Sequence, residues 1–295
     1  MAFLLETGDW RRETGDCKPR ETTPRIVSSL SYTCSPMQQA AFFDLDKTVI
    51  ARSSALAFTG HLHKAGMLGR PVLFRAAISQ LMYVLFGADE DQLDRTRDAL
   101  LALTKGWDRA EVEKVVSEAL EEVVAPLVYA EALFLIDEHM REGRRVFIVS
   151  ASPEEVVRPL ARYIGVPDVI ATRARVDAEG RYTGEVELYA FGEQKADAVR
   201  AIAEEEGISL EDSYAYSDSM TDLPLLELVG HPHAVNPDRE LKAIAEERGW
   251  PMLEFRRQVS LAKRLARPVP IISGATVATV IGAAIAWAMI RKRRV

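Results

Sequence analysis

Two carboxylates two residues apart close the apolar run of AFFDLDKTVI, residues 41–50. In an extended strand, residues i and i+2 project the same way, so Asp44 and Asp46 face one side of the strand's end. Two buried anions that close repel, and one takes up a proton unless a cation intervenes. Either outcome is chemically useful: a carboxylate can hold a divalent metal, and a carboxyl of raised pKa can donate a proton. Three later segments carry residues of similar capability. Ser150 follows RVFIV (residues 145–149), Lys195 opens a helical stretch at Gly192-Glu193-Gln194-Lys195, and Asp218 and Asp222 stand in YSDSMTD (residues 216–222).

The elements that must position these residues follow from periodicity. Residues 40–45, 145–149, 169–172, 213–216, 233–235 and 252–255 read as short buried strands, and 174–190 as a hairpin around Asp177-Ala178-Glu179-Gly180. Helices are predicted after Ser152-Pro153-Glu154-Glu155, whose composition suits an N-cap, and over 193–206, 220–229 and 237–248. Strands alternating with helices predict an α/β fold with a parallel sheet. Residues 53–138 interrupt the alternation with an almost wholly helical block, which predicts an inserted helical cap over a core of residues 37–52 and 139–255. Sites in such sheets lie beyond the carboxyl ends of the strands. Asp44, Ser150 and Asp218 each fall where a predicted strand ends, so these distant segments should converge.

Asp44-Leu45-Asp46-Lys47-Thr48 resembles the first motif, D-x-D-x-T, of the haloacid dehalogenase (HAD) superfamily phosphatases. Ser150, Lys195 and the Asp218/Asp222 pair resemble the second, third and fourth motifs, in order. The resemblance covers roughly residues 38–255, and the helical insert is similar to the C1 cap of the phosphoserine-phosphatase-like branch, subfamily IB. It implies a Rossmann-like core and an Mg²⁺-dependent phosphomonoesterase. In the implied roles Asp44 attacks phosphorus, and Asp46 protonates the leaving oxygen and then takes a proton from water. Ser150 and Lys195 hold the phosphoryl group. Thr48 and Ala151 join Asp44, Ser150 and Lys195 around the phosphate, with the Thr48 hydroxyl also expected to cap the following turn. Asp44, Asp46 through its backbone carbonyl, Asp218 and Asp222 would surround the metal, with Asp222 steadying its water shell or orienting Lys195. Ser152 competes with Ser150 for the phosphate. Where phosphoserine phosphatases carry a glutamate for the substrate amine, this chain has Ser53, and no Asp or Glu occurs between Asp46 and Asp89. The substrate is thus a small phosphorylated metabolite or, given the apolar run around Phe74, Leu81 and Tyr83, a lipid phosphate. A non-enzymatic membrane regulator on the same fold is the alternative class.

Charge is divided along the chain. Residues 251–295 hold nine Lys/Arg and only Glu254, so removing this +8 from the net −7 leaves −15 on residues 1–250. An acidic body argues against nucleic acid, which needs a basic footprint. Residues 269–290 carry no charge and are bounded by Arg267 and Arg291-Lys292-Arg293-Arg294. That length can cross a hydrocarbon core of about 30 Å, predicting a transmembrane helix, a basic juxtamembrane segment at 256–268 and a catalytic body in the cytoplasm. Gly274, Ala278, Gly282 and Ala286 share one face of such a helix and could pack a homodimer. Residues 1–36 show no sustained apolar period and read as a disordered extension, with Met37 an alternative start. Cys17 and Cys34 both lie in that extension and make neither a disulfide framework nor a zinc site.

Overall fold

The computed structural model describes residues 38–69, 98–124 and 126–258. The sequence expectations for the extension 1–36, for the cap segment around Phe74 and for the span 269–290 lie outside the described residues. Among the described residues no helix is long and apolar enough to cross a membrane.

Seven strands form one sheet in the order β4-β3-β2-β1-β5-β6-β7. They are β1 (Ala40–Asp44), β2 (Arg145–Pro153), β3 (Asp168–Val176), β4 (Tyr182–Leu188), β5 (Tyr214–Ser217), β6 (His231–Val235) and β7 (Met252–Leu253). All pairs are parallel except β3 with β4, as expected when helices cover both faces and supply the crossovers. β1 is central and all five of its residues are buried. Its alternate side chains feed two cores. Ala41 and Phe43 enter one with Ile148 of β2, and Ala40 and Phe42 enter the other with Phe147 and Val149.

The first core is closed by α3 (Arg109–Val124), α4 (Ala130–Arg141) and α5 (Glu154–Tyr163), and the second by α6 (Gly192–Glu206), α7 (Leu223–Leu228) and α8 (Arg239–Arg248). Of the helical block, α1 (Ser54–Ala57), α2 (Thr59–Lys64), residues 98–104 and α3 are described. Its two ends meet at a neck, where Ala51 N donates to Leu127 O at 2.9 Å and Tyr129 N to Val49 O at 3.0 Å. α4, beyond that neck, packs directly on β1 and β2. The return limb is strapped to the β3–β4 hairpin. Gly106 N donates to Tyr182 O at 2.8 Å and Tyr182 N to Trp107 O at 3.0 Å, while Arg109 stands 3.2 Å from Glu155 at the start of α5.

Several local expectations are corrected. The strand at 169–172 and the first arm of the hairpin are one strand, β3, pairing first with β2 and then with β4. β2 runs on to Pro153, so Ser152 does not cap α5; the residue before the helix is Pro153, and no side chain caps it. The helix at 220–229 divides into a 3₁₀ turn, Met220–Asp222, and α7, with Pro224 fitting the first turn of the latter. β6 begins at His231 and includes Pro232. The proline is tolerated because β7 reaches only Ala234 and Val235, leaving Pro232 without an outer neighbour. Thr48 caps nothing: Val49 N and Ile50 N both donate to Leu45 O, and the fully buried Thr48 hydroxyl has no hydrogen-bond partner.

Candidate active site

β1, β2 and β5 are adjacent and parallel, so their carboxyl ends deliver Asp44, Ser150 and Asp218 to one edge of the sheet. α6 brings Lys195 to the same edge. Its Nζ donates to Asp44 Oδ1 at 2.7 Å and to both Asp222 oxygens at 2.8 Å. All three side chains are buried, and Lys195 is only 2% exposed. Burial alone would lower the Lys195 pKa, but the Asp222 and Asp44 carboxylates outweigh it and hold the ammonium charged. Asp222 thus grips Lys195 through both of its oxygens. Ser217 secures that grip, donating to Asp222 Oδ2 at 2.6 Å.

Asp44 is pushed well above the ordinary carboxylate range. Burial is the main cause, Lys195 opposes it, and Asp222 and Asp218 add to it. Asp218 is raised to about 7, again chiefly by burial, with Lys47 opposing and Asp222 and Asp238 reinforcing. Lys47 Nζ stands 4.0 Å from Asp218 Oδ2, on a residue whose φ of 63° turns the chain sharply after the first motif. One buried ammonium therefore serves an edge crowded with carboxylates.

Asp46 is turned aside from that group. Its Oδ1 accepts from the backbone N–H of Ser54 at 2.7 Å, and its Oδ2 accepts from the Ser152 hydroxyl at 3.0 Å. Burial raises its pKa, and these hydrogen bonds oppose the rise. Ser150 Oγ accepts from Ser152 N at 3.1 Å. With its oxygen so engaged, its hydroxyl hydrogen can point toward an incoming anion. Ser152 Oγ, by contrast, is engaged with Asp46. Ala151, between them, is exposed.

The donor set fits a hard divalent cation. Asp44 and Asp218 would supply oxygen ligands, and an excess of buried negative charge favours a metal. Among the described residues no three acidic, His or Cys side chains form a ready-made cage. Mg²⁺ usually keeps waters and shares a site with substrate phosphate, so two carboxylates could hold it. The Asp46 carboxylate is bound to serine donors and both Asp222 oxygens to Lys195, whereas Asp44 meets Lys195 through Oδ1 alone, so Asp44 and Asp218 are the side chains that could ligate.

Two contributors were missed in the sequence. Ser54 lies eight residues beyond Asp46, at the entry to the helical block, and Ser217 lies one residue before Asp218. Neither matches a motif, and only hydrogen-bond geometry reveals them.

Comparison with known proteins agrees with this edge. The family model of the haloacid dehalogenase-like hydrolases matches residues 41–227, which spans Asp44 through Asp222. The chain belongs to that family. It is 47% identical over 277 residues to a probable phosphatase of Mycobacterium tuberculosis, covering 92% of this chain and 95% of that protein. It is 31% identical over 228 residues to a histidinol-phosphatase of Neisseria meningitidis, covering 75% of this chain and all of that protein. A phosphoserine phosphatase solved as a phospho-aspartyl intermediate analogue superposes with a TM-score of 0.52 at 20% identity, covering 78% of this chain and 98% of that one. At that identity the superposition shows a shared fold. The HAD-family chain is thus an α/β hydrolase with a Rossmann-like, mainly parallel sheet.

Proposed function

We propose that this HAD-family hydrolase is a phosphatase, and that it removes phosphate from a phosphomonoester by way of an aspartyl-phosphate on Asp44. The observation that carries the reading is the buried Lys195 ammonium clamped between Asp44 and Asp222, with Asp46 held separately beside it. An ion pair alone would not need a second carboxylate on the same turn.

Asp44 attacks phosphorus with one carboxylate oxygen as the bond to the leaving oxygen breaks. The nucleophile must be ionised. Burial opposes this, and Lys195 at 2.7 Å favours it. Asp46 gives its proton to the leaving oxygen, which departs as the alcohol. Water then attacks the acyl-phosphate, Asp46 recovers a proton from it, and Asp44 and inorganic phosphate are released. The Ser150 hydroxyl and Lys195 stabilise charge on the phosphoryl oxygens. Mg²⁺ held by Asp44, the Asp46 carbonyl and Asp218 would screen the repulsion between the Asp44 anion and the phosphate dianion.

Substrate choice belongs to the helical insert, because the edge residues grip only the phosphoryl group. A small phosphorylated metabolite is the first reading, supported by the names of the related phosphatases. The uncharged run 269–290 and its flanking basic residues support attachment to a membrane with the body in the cytoplasm, and would bring a lipid phosphate within reach. Pairing through the Gly274/Ala278/Gly282/Ala286 face would follow from the same helix.

The test is phosphate release from an aryl phosphate, phosphoserine and a lysophosphatidate, for the wild type and Asp44→Asn, with Mg²⁺ and with EDTA. Wild type should turn over at least one of them, EDTA should abolish this reversibly, and Asp44→Asn should lose about a thousandfold or more in kcat/KM. Full activity in folded Asp44→Asn would refute the covalent mechanism.

A further inference from the structure

Asp46 must present its proton to one oxygen of a substrate, and its side chain can rotate. What fixes it is a short chain of hydroxyls. Ser54 Oγ donates to Ser152 Oγ at 2.9 Å, and Ser152 Oγ donates to Asp46 Oδ2 at 3.0 Å. Ser54 also supplies the backbone N–H that binds Asp46 Oδ1 at 2.7 Å. Ser54 is fully buried and Ser152 only 7% exposed, so water does not replace these bonds. Both carboxylate oxygens are therefore held at once, and the plane of the group is set.

The backbone explains why Ser152 can reach. The β2–β3 register shifts between Ser150 and Pro153. Alternation nevertheless continues, with Ser150 and Ser152 buried and Ala151 and Pro153 exposed. Ser150 and Ser152 thus face the same edge, and Ser152 lies one step further out, beside the first residue of α1. An amide N–H can only donate, so it anchors Oδ1 permanently. The Ser152 hydroxyl donates to Oδ2, which keeps a lone pair for it even when protonated, so this bond can persist while the Oδ2 proton points to the leaving oxygen and is given up and regained.

We infer that Ser152, braced by Ser54, is a positioning residue for proton delivery by Asp46 to the leaving oxygen, and that its role scales with how poorly that oxygen leaves. The inference rests on the phosphatase reading above. It joins the entry of the helical insert to the leaving-group side of the site: Ser54 begins α1, so wherever α1 sits, Asp46 is aimed accordingly.

Leaving-group dependence separates positioning from simple structural support. A weakly acidic leaving phenol needs the proton, whereas a strongly acidic one departs largely without it. The experiment measures kcat/KM of the full chain for a series of ring-substituted phenyl phosphates, from p-nitrophenyl to unsubstituted. Wild type, Ser152→Ala, Ser152→Thr and Ser54→Ala are compared. Ser152→Ala should lose about tenfold more on phenyl phosphate than on p-nitrophenyl phosphate, steepening the dependence on leaving-group acidity. Ser152→Thr, which keeps the hydroxyl, should restore the wild-type slope. Ser54→Ala, which keeps the N–H bond, should steepen it less. Equal loss across the series, or no loss, overturns the assignment while leaving the phosphatase reading intact. A wild type that releases phosphate from no member of this series, nor from phosphoserine or a lysophosphatidate, refutes both together.

Discussion

β1 and β5 each run from an aromatic patch to a buried carboxylate one or two residues further on, and the two regions behave oppositely. Phe43 and Tyr216 are register partners and stack at 4.3 Å, and Tyr216 stacks on its partner His233 at 4.7 Å. Beneath them His139 of α4 is 4% exposed, with Nε2 at 2.8 Å from the Tyr216 hydroxyl and Nδ1 at 3.1 Å from an Arg144 nitrogen. Burial first, and Arg144 second, lower its pKa to about 4, so it is neutral at pH 7. One position beyond Phe43 and two beyond Tyr216, Asp44 and Asp218 belong to an edge where charge is buried and balanced by Lys195. A buried polar group that is neutral and hydrogen-bonded is architecture. Buried charge that needs a cation is costly to keep, and a crowded acidic edge is the usual mark of a functional site.

That contrast can be attacked at its strongest point first. Lys195→Met removes the shared ammonium and leaves Asp44 and Asp222 facing each other in a buried site. It should cost about 3–5 kcal/mol in urea unfolding at pH 7 and more than about a hundredfold in kcat. Retained activity would make Lys195 structural, on a par with His139.

His139→Gln tests the architectural side. Glutamine can keep a hydrogen bond to Tyr216 but does not titrate. In the wild type the unfolded chain protonates His139 through about pH 6.5, whereas the folded chain resists until about 4. The unfolded state thus binds more protons in that window. This group's contribution is complete above about 6.5 and is lost as pH falls toward 4, approaching about 3 kcal/mol. His139→Gln should flatten that segment of the stability–pH curve and leave kcat within about twofold. A large fall in kcat would place the aromatic face in the chemistry.

The smallest expected effect is at Ser217→Ala. It removes one of the hydrogen bonds that hold Asp222, and should lower kcat by no more than about fivefold, equivalent to about 1 kcal/mol. A loss approaching that of Lys195→Met would mean that Ser217 matters to the grip on Asp222 as much as Lys195 does.

Much of this edge was legible in the sequence. Asp44, Ser150 and Asp218 were expected at strand ends, and a parallel sheet brings such ends together whatever the loops do. Lys195 was legible as the start of a helix, since helix α6 must return its N-terminus to the same edge. The local geometry was less legible. The hairpin at 174–190 and the strand before it merged into β3, because pairing on both sides extends a strand that periodicity alone divides. Ser152 had the composition of a helix cap, but β2 continues through it, and the strand's alternation turns its hydroxyl to Asp46.

The sequence by itself determined the α/β alternation, the carboxyl-end placement of the acids and the central burial of β1, because strand and helix periods are local properties of the chain. Only the tertiary structure decided which groups touch. The Lys195 ammonium chose Asp44 and Asp222, separated from it by 151 and 27 residues, and Ser152 reached Asp46 across 106 residues. Such partners are selected by distances of about 3 Å and by the exclusion of water, and neither is encoded in spacing along the chain.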